Sequence, residues 1–113
     1  MYFDNNLFDN IGYIDPNSIL NRDHKKNNKS VDIYSFGSLL YEIMSEKVPY
    51  SDDQNNMIQL IRKIKDEDYR EPDIAGVPDE INSLIKRCWR KDNRPSISEV
   101  YHMLLDLDRF TME

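Results

Sequence analysis

The chain has 113 residues, enough for one domain at most, with 39% hydrophobic and 32% charged side chains, the proportions of a folded globular protein. A net charge of −6 and a pI near 4.9 exclude a general nucleic-acid or anionic-membrane surface, because both need a basic footprint. The single cysteine, Cys88, excludes an intramolecular disulfide, and no run approaches the ~18 apolar residues that span a bilayer.

The start, MYFDNNLFDN, has no basic segment followed by an apolar core and does not read as a secretion signal. The expected location is therefore cytoplasmic or nuclear, not secreted. Residues 1–14 mix Asp and Asn with Phe3, Leu7, Phe8 and Ile11 in no regular period, which predicts extended loop. Residues 15–21 predict a short helix with Asp15 as N-cap and Pro16 at the first helical position. A polar loop follows. A long helix is then predicted from Val31 to about Glu46, with Ser30 as its N-cap.

A second amphipathic segment, about 54–65, puts Met57, Ile58, Leu60, Ile61 and Ile64 on one face. The next helix is predicted from near Pro78, with Asp79 and Glu80 in its first turn, where the helix dipole favours acids. Its apolar face is Ile81, Leu84, Ile85, Cys88 and Trp89. The last starts at Ser96, where Ser96 and Glu99 have the spacing of a capping box. Val100, Tyr101, Met103, Leu104, Leu105 and Leu107 form its apolar side. Nothing alternates with period two over any length, so the predicted fold is mainly α: about four helices plus a short one, around a central hydrophobic helix.

That central helix is unusual. Ile33, Tyr34, Phe36, Leu39, Leu40, Tyr41, Ile43 and Met44 cover roughly 220° of its circumference, against ~100° for an ordinary surface helix. Asp32 projects between Leu39 and Ile43, inside the apolar arc. A carboxylate on a buried face needs fixed donors, or it costs several kcal/mol. The alternative is a first-turn acid that simply favours the helix dipole.

Four stretches occur in order: GYIDPN, DIYSFGSLLYEI, VPYSDD and CWRKDNRPSISEV. Together they resemble the C-terminal lobe of eukaryotic protein kinases, in the tyrosine-kinase-like branch, over about residues 10–107. The resemblance implies a partial kinase domain over 15–110 preceded by an activation-segment remnant at 1–14. It makes the 31–46 helix the central F helix of the lobe, with Asp32 accepting hydrogen bonds from backbone amides of the catalytic loop. Gly37 and Trp89 match structural positions of the same motifs. Gly12-Tyr13 matches the substrate-positioning segment, and the 54–65 helix matches the G helix, which can dock a protein substrate or a regulatory protein.

The departures are specific. Asp15-Pro16-Asn17 stands where the family usually has Ala-Pro-Glu, whose Glu pairs with the Arg of the later Arg-Pro, here Arg94-Pro95. Asn17 has no charge to offer Arg94, and Asp15 is the obvious substitute acceptor. The interval from Trp89 to Arg94 is shorter than is usual in the family, and Asn10 stands where a threonine often sits ahead of Gly-Tyr.

The absences bear on activity. Phosphoryl transfer needs a glycine loop over the phosphates, a phosphate-pairing lysine, a catalytic Asp with its Asn, and a metal-binding Asp. The three glycines, Gly12, Gly37 and Gly76, lie far apart, and the sequence contains neither His-Arg-Asp nor Asp-Phe-Gly. ATP and Mg, the cofactors of the parent family, thus have no assigned residues; no catalytic, cofactor or metal residue is expected in this chain. His24, Cys88 and His102 are isolated and form no metal-ligand pattern. Three readings follow: a truncated protein kinase domain, whether a truncated copy, a partial gene product or a segment of a longer chain; a non-catalytic pseudokinase-like scaffold; or an unrelated helical interaction domain. A further expectation is that the helix of the wide apolar arc leaves part of it uncovered in these 113 residues.

Overall fold

The computed structural model describes residues 11–19, 29–51 and 56–111. Within them every regular element is helical: a 3₁₀ turn at Ile11–Tyr13, then α1 (Pro16–Ile19), α2 (Lys29–Ser45), α3 (Met57–Asp66), α4 (Asp79–Cys88) and α5 (Ile97–Thr111). The mainly α expectation holds, and the 3₁₀ turn replaces the end of the expected extended entry. Residues 1–10 and the remainder of the predicted 15–21 helix lie outside the described residues. None of the described helices is long and apolar enough to cross a membrane.

Local chemistry sets most of the boundaries. Asp15 ends the entry segment because its Oδ1 accepts the Asn17 amide at 2.9 Å, and Pro16, which has no amide to satisfy, opens α1. Asn56 caps α3 by accepting the Gln59 amide at 3.2 Å. The capping box of α5 forms as read: Glu99 N–H donates to Ser96 Oγ at 3.1 Å, and the Glu99 carboxylate faces the Ser96 amide at 3.5 Å. Ser30 is different. It lies within α2 rather than ahead of it, and its Oγ and carbonyl both accept from Arg94.

The core is a continuous set of contacts around α2. One side gathers Ile33, Leu84, Cys88 and Val100 from α2, α4 and α5. A second gathers Tyr34, Tyr41, Ile85 and Trp89. The third, Ile11, Tyr50, Leu60 and Ile64, joins the entry turn to α3. Trp89 connects the last two: its ring centroid lies 5.3 Å from that of Tyr41 and 6.4 Å from that of Tyr50. Such tilted and offset pairs add to the burial energy of the rings. Gly37 lets α2 and α4 touch, since a Cβ there would stand 2.6 Å from the Cβ of Cys88.

Burial divides two of the apolar faces, and on α2 part of the arc is left uncovered as expected. The apolar arc of α2 is split: Ile33, Tyr34 and Tyr41 are buried, whereas Leu39 and Ile43 are 48% and 62% exposed. On α5, Val100 is buried but Tyr101 and Leu105 face outward, so only part of its apolar side is packed. Both open faces are apolar and lie on helices whose opposite sides are fixed in the core. An apolar-surface dye is therefore expected to bind the folded chain, and Leu39→Glu with Ile43→Lys is expected to reduce the signal at unchanged helix content. Dye binding that the double variant leaves untouched would place the sticky surface elsewhere.

Three buried ionisable groups set the alkaline limit of the fold. Burial pushes the Cys88 thiol up to about 11, and raises the Tyr34 and Tyr50 hydroxyls above their usual range. Each is neutral when protonated, so the folded chain holds protons that the unfolded chain releases. The Cys88 contribution is complete below about pH 9 and is lost as the pH rises toward 11, and that of the two tyrosines starts to fall only above their ordinary value of 10. The urea midpoint is expected to fall between pH 7.5 and 10.5; an unchanged midpoint would contradict it.

Candidate functional site

Most residues singled out by motif meet α2, at its start, its middle and its second half. Asp15 and Arg94, far apart in sequence, form a two-pronged ion pair: Nη1 to Oδ2 at 2.5 Å and Nη2 to Oδ1 at 2.9 Å. The side chains are only 2% and 4% exposed, Arg94 first. The planar fork of the guanidinium matches the two carboxylate oxygens, which makes this the strong form of the interaction. Arg94 also donates from Nε to the Arg90 carbonyl at 2.5 Å and from Nη1 to the Ser30 carbonyl at 3.0 Å. Its guanidinium lies 4.9 Å from the ring centre of Tyr34. One side chain thus ties the α1 entry, the start of α2 and the loop before α5. Pro95 is buried directly after it.

Asn17 takes no part in this clamp. It is exposed, and its Nδ2 donates to the Lys91 carbonyl at 2.9 Å. Asp15 therefore supplies the acid, from two residues nearer the N-terminus than the family's Glu would stand.

Gly12-Tyr13 is docked on α2 through both carbonyls. Ser38 Oγ donates to the Gly12 carbonyl, and Ser35 Oγ donates to that of Tyr13 at 2.8 Å. Trp89 Nε1 donates in turn to Ser38 Oγ at 2.8 Å, so the indole, the hydroxyl and the Gly12 carbonyl form a buried relay. The Tyr13 hydroxyl donates to Glu42. Gly12 packs so closely on Pro49 that a Cβ would stand 2.6 Å from the proline Cβ and 2.9 Å from its carbonyl oxygen. Only glycine fits there.

Asp32 is the exception. Its side chain is exposed, beside the open Leu39 and Ile43 positions, and accepts no hydrogen bond from a described residue. The helical wheel placed it correctly among those neighbours, but burial of that face does not occur in the described residues. It borders a groove of about 670 Å³, with Ile33, Phe36, Arg94, Pro95 and Ile97 in its walls.

Three polar residues escaped sequence reading, two of them buried and one partly buried. Arg70 donates to the Trp89 carbonyl at 2.9 Å and to the Ile64 and Tyr69 carbonyls at 2.8 Å, tying the ends of α3 and α4 together. Glu71 accepts from the Tyr41 hydroxyl at 2.6 Å. Asn82 pairs with both backbone groups of Ile74, at 2.8 and 3.1 Å. Arg70 and Glu71 sit in an aperiodic connection, where no pattern marks a residue as buried. Asn82 carries a weak signal: it is a polar residue at a packed helix position.

The described residues form a helical assembly in which a buried Asp15–Arg94 pair clamps an incoming segment onto a central helix. A sequence model described as "Protein tyrosine and serine/threonine kinase" matches residues 4–104. The chain belongs to that family. It is 34% identical over 101 residues to the probable serine/threonine-protein kinase gdt8 of Dictyostelium discoideum, which covers 88% of this chain and 6% of that protein. It is 35% identical over 82 residues to the dual specificity protein kinase shkD of the same organism, covering 71% of this chain and 11% of the relative. Human mitogen-activated protein kinase kinase kinase 7 is 30% identical over 81 residues, covering 70% and 13%. The chain thus spans a small fraction of each of these relatives.

Proposed function

We propose that the chain is the substrate-side part of a kinase C-terminal lobe of the tyrosine-kinase-like branch. It would run from the end of the activation segment through the last helix. The parent activity is ATP-dependent phosphorylation of Ser, Thr or Tyr on proteins. The observation that carries this reading is the buried Asp15–Arg94 pair, which joins the motif after Gly12-Tyr13 to the Arg-Pro motif. In this reading Gly12 and Tyr13 hold the bottom of the substrate-binding segment. Asp32 awaits backbone donors from a catalytic loop.

ATP and Mg²⁺ do not fit the described residues. The groove beside Asp32 brings Lys29, Asp32 and Glu99 together with largely apolar walls, and no described group of three acids, His or Cys could hold a metal ion. No phosphoryl-transfer step is therefore assigned to these residues, and the 113 residues alone are expected to be inactive.

The test is an immune-complex kinase assay with labelled ATP, using an antibody raised against residues 56–111. The 113-residue chain expressed alone is expected to transfer no phosphate. A larger native polypeptide bearing the epitope and transferring phosphate supports the kinase-segment reading. Transfer by the short chain would overturn the proposal. A native product that is inactive at any size favours the second reading, a non-catalytic scaffold. That reading draws on α3, where Leu60 and Ile64 are anchored in the core and Ile58 stands 70% exposed as a contact for a protein partner.

A further inference from the structure

Four cations gather at one cavity of this acidic chain. Arg70, Lys86, Arg90 and Lys91 line a space of about 390 Å³ against Trp89, opposed by the carboxylates of Asp68 and Asp92. The local balance is positive in a molecule whose net charge is −6.

Their donors are only partly used inside the protein. Lys86 pairs with Asp73 at 2.6 Å and, with Arg87, complements the C-terminal dipole of α4. Arg70 is fixed by its three carbonyl acceptors through Nε and Nη1, and its Nη2 donates to no described residue. Arg90 and Lys91 lie beyond the end of α4, are exposed, and form no ion pair with a described residue. Their backbone is nonetheless pinned, since the Arg90 carbonyl accepts from Arg94 at 2.5 Å and the Lys91 carbonyl from Asn17 at 2.9 Å. Helix-end complementation accounts for Lys86 and Arg87, not for a pinned loop that presents two further cations to the same cavity.

We propose that this cavity binds a phosphomonoester dianion, with Arg70 Nη2, Arg90 and Lys91 as the donors. A carboxylate is satisfied by a single guanidinium fork, whereas separate donors from three side chains suit the several oxygens of a tetrahedral dianion. The volume exceeds that of a phosphate group and leaves room for the chain that carries it. Anchoring Arg70 and the 90–91 backbone in advance lowers the ordering cost of binding. The inference does not depend on the kinase reading.

Trp89, the one tryptophan of the sequence, lines the cavity and reports occupancy by its fluorescence. The full chain is titrated at constant ionic strength with inorganic phosphate, with a phosphoserine peptide, and with the same peptide unphosphorylated. Saturable change with phosphate and phosphopeptide alike identifies the phosphate group as the whole ligand. Tighter binding of the phosphopeptide identifies a protein-borne source. Either supports the proposal, and Arg90→Ala with Lys91→Ala, both exposed, should weaken binding at least tenfold while leaving the circular dichroism unchanged. No saturable response, an equal response to the unphosphorylated peptide, or binding indifferent to the double variant overturns it.

Discussion

Asp15→Ala is expected to lower the unfolding free energy by about 3–5 kcal/mol, because it leaves the buried Arg94 guanidinium without its counter-charge. Arg94 is 2% exposed at its side chain, so water cannot easily replace the lost carboxylate. The remaining acceptors, the Arg90 and Ser30 carbonyls, are neutral. Asp15→Ala also removes the acceptor of the Asn17 amide, which adds about 1 kcal/mol. Small domains are stable by only about 5–15 kcal/mol, so this one change takes a large share. Arg94→Ala should cost a similar amount, and the double variant little more than either single one, since both lose the same interaction. The contrasting variant is Asn17→Glu, which restores the family's residue. Both terminal nitrogens of Arg94 are already on Asp15, and Asn17 is exposed, so the change should stay within about 0.5 kcal/mol. Urea unfolding of the four variants decides the matter. A cost below about 1 kcal/mol for Asp15→Ala, or a clear gain from Asn17→Glu, would remove the clamp from its place in the fold.

The second large effect is expected from Gly37→Ala. On an exposed helix, alanine in place of glycine would stabilise by about 1 kcal/mol. Here the added Cβ would stand 2.6 Å from the Cβ of Cys88 and 3.5 Å from Trp89 Cδ1. The first of these atoms is attached to the α4 backbone and cannot rotate away, so α2 and α4 must separate. Overpacking of this kind costs about 1–3 kcal/mol, enough to outweigh the propensity gain. A fall in Tm of several degrees is expected for a domain of this size. A rise in Tm would show that the helices have room to part. The displacement also loosens the Trp89–Ser38–Gly12 relay, so the environment of Trp89 should change with it.

Much of the helical layout was legible. α3, α4 and α5 begin within a few residues of their expected starts, because apolar periodicity and capping residues act locally. The substitution of Asp15 for the family's Glu was legible too, as a missing charge beside a nearby one. Ser30 was misjudged because its hydroxyl serves Arg94, a partner 64 positions away, instead of the helix end. The surroundings of Asp32 were not legible for a related reason. Its wheel position is right, but whether a helix face is buried depends on what packs there, and the described residues leave Leu39 and Ile43 open. Arg70 and Glu71 were invisible because their partners are carbonyls and a hydroxyl brought close only by folding.

The sequence by itself determined the helical class, the order of elements and the family-like motif string, since each rests on short-range period, capping or residue identity. Only the tertiary structure decided which acid meets Arg94, which half of the α2 arc is covered, and where the loop cations gather. Those outcomes depend on distances between segments far apart in the chain, and hydrophobic patterning constrains a face without naming its neighbour.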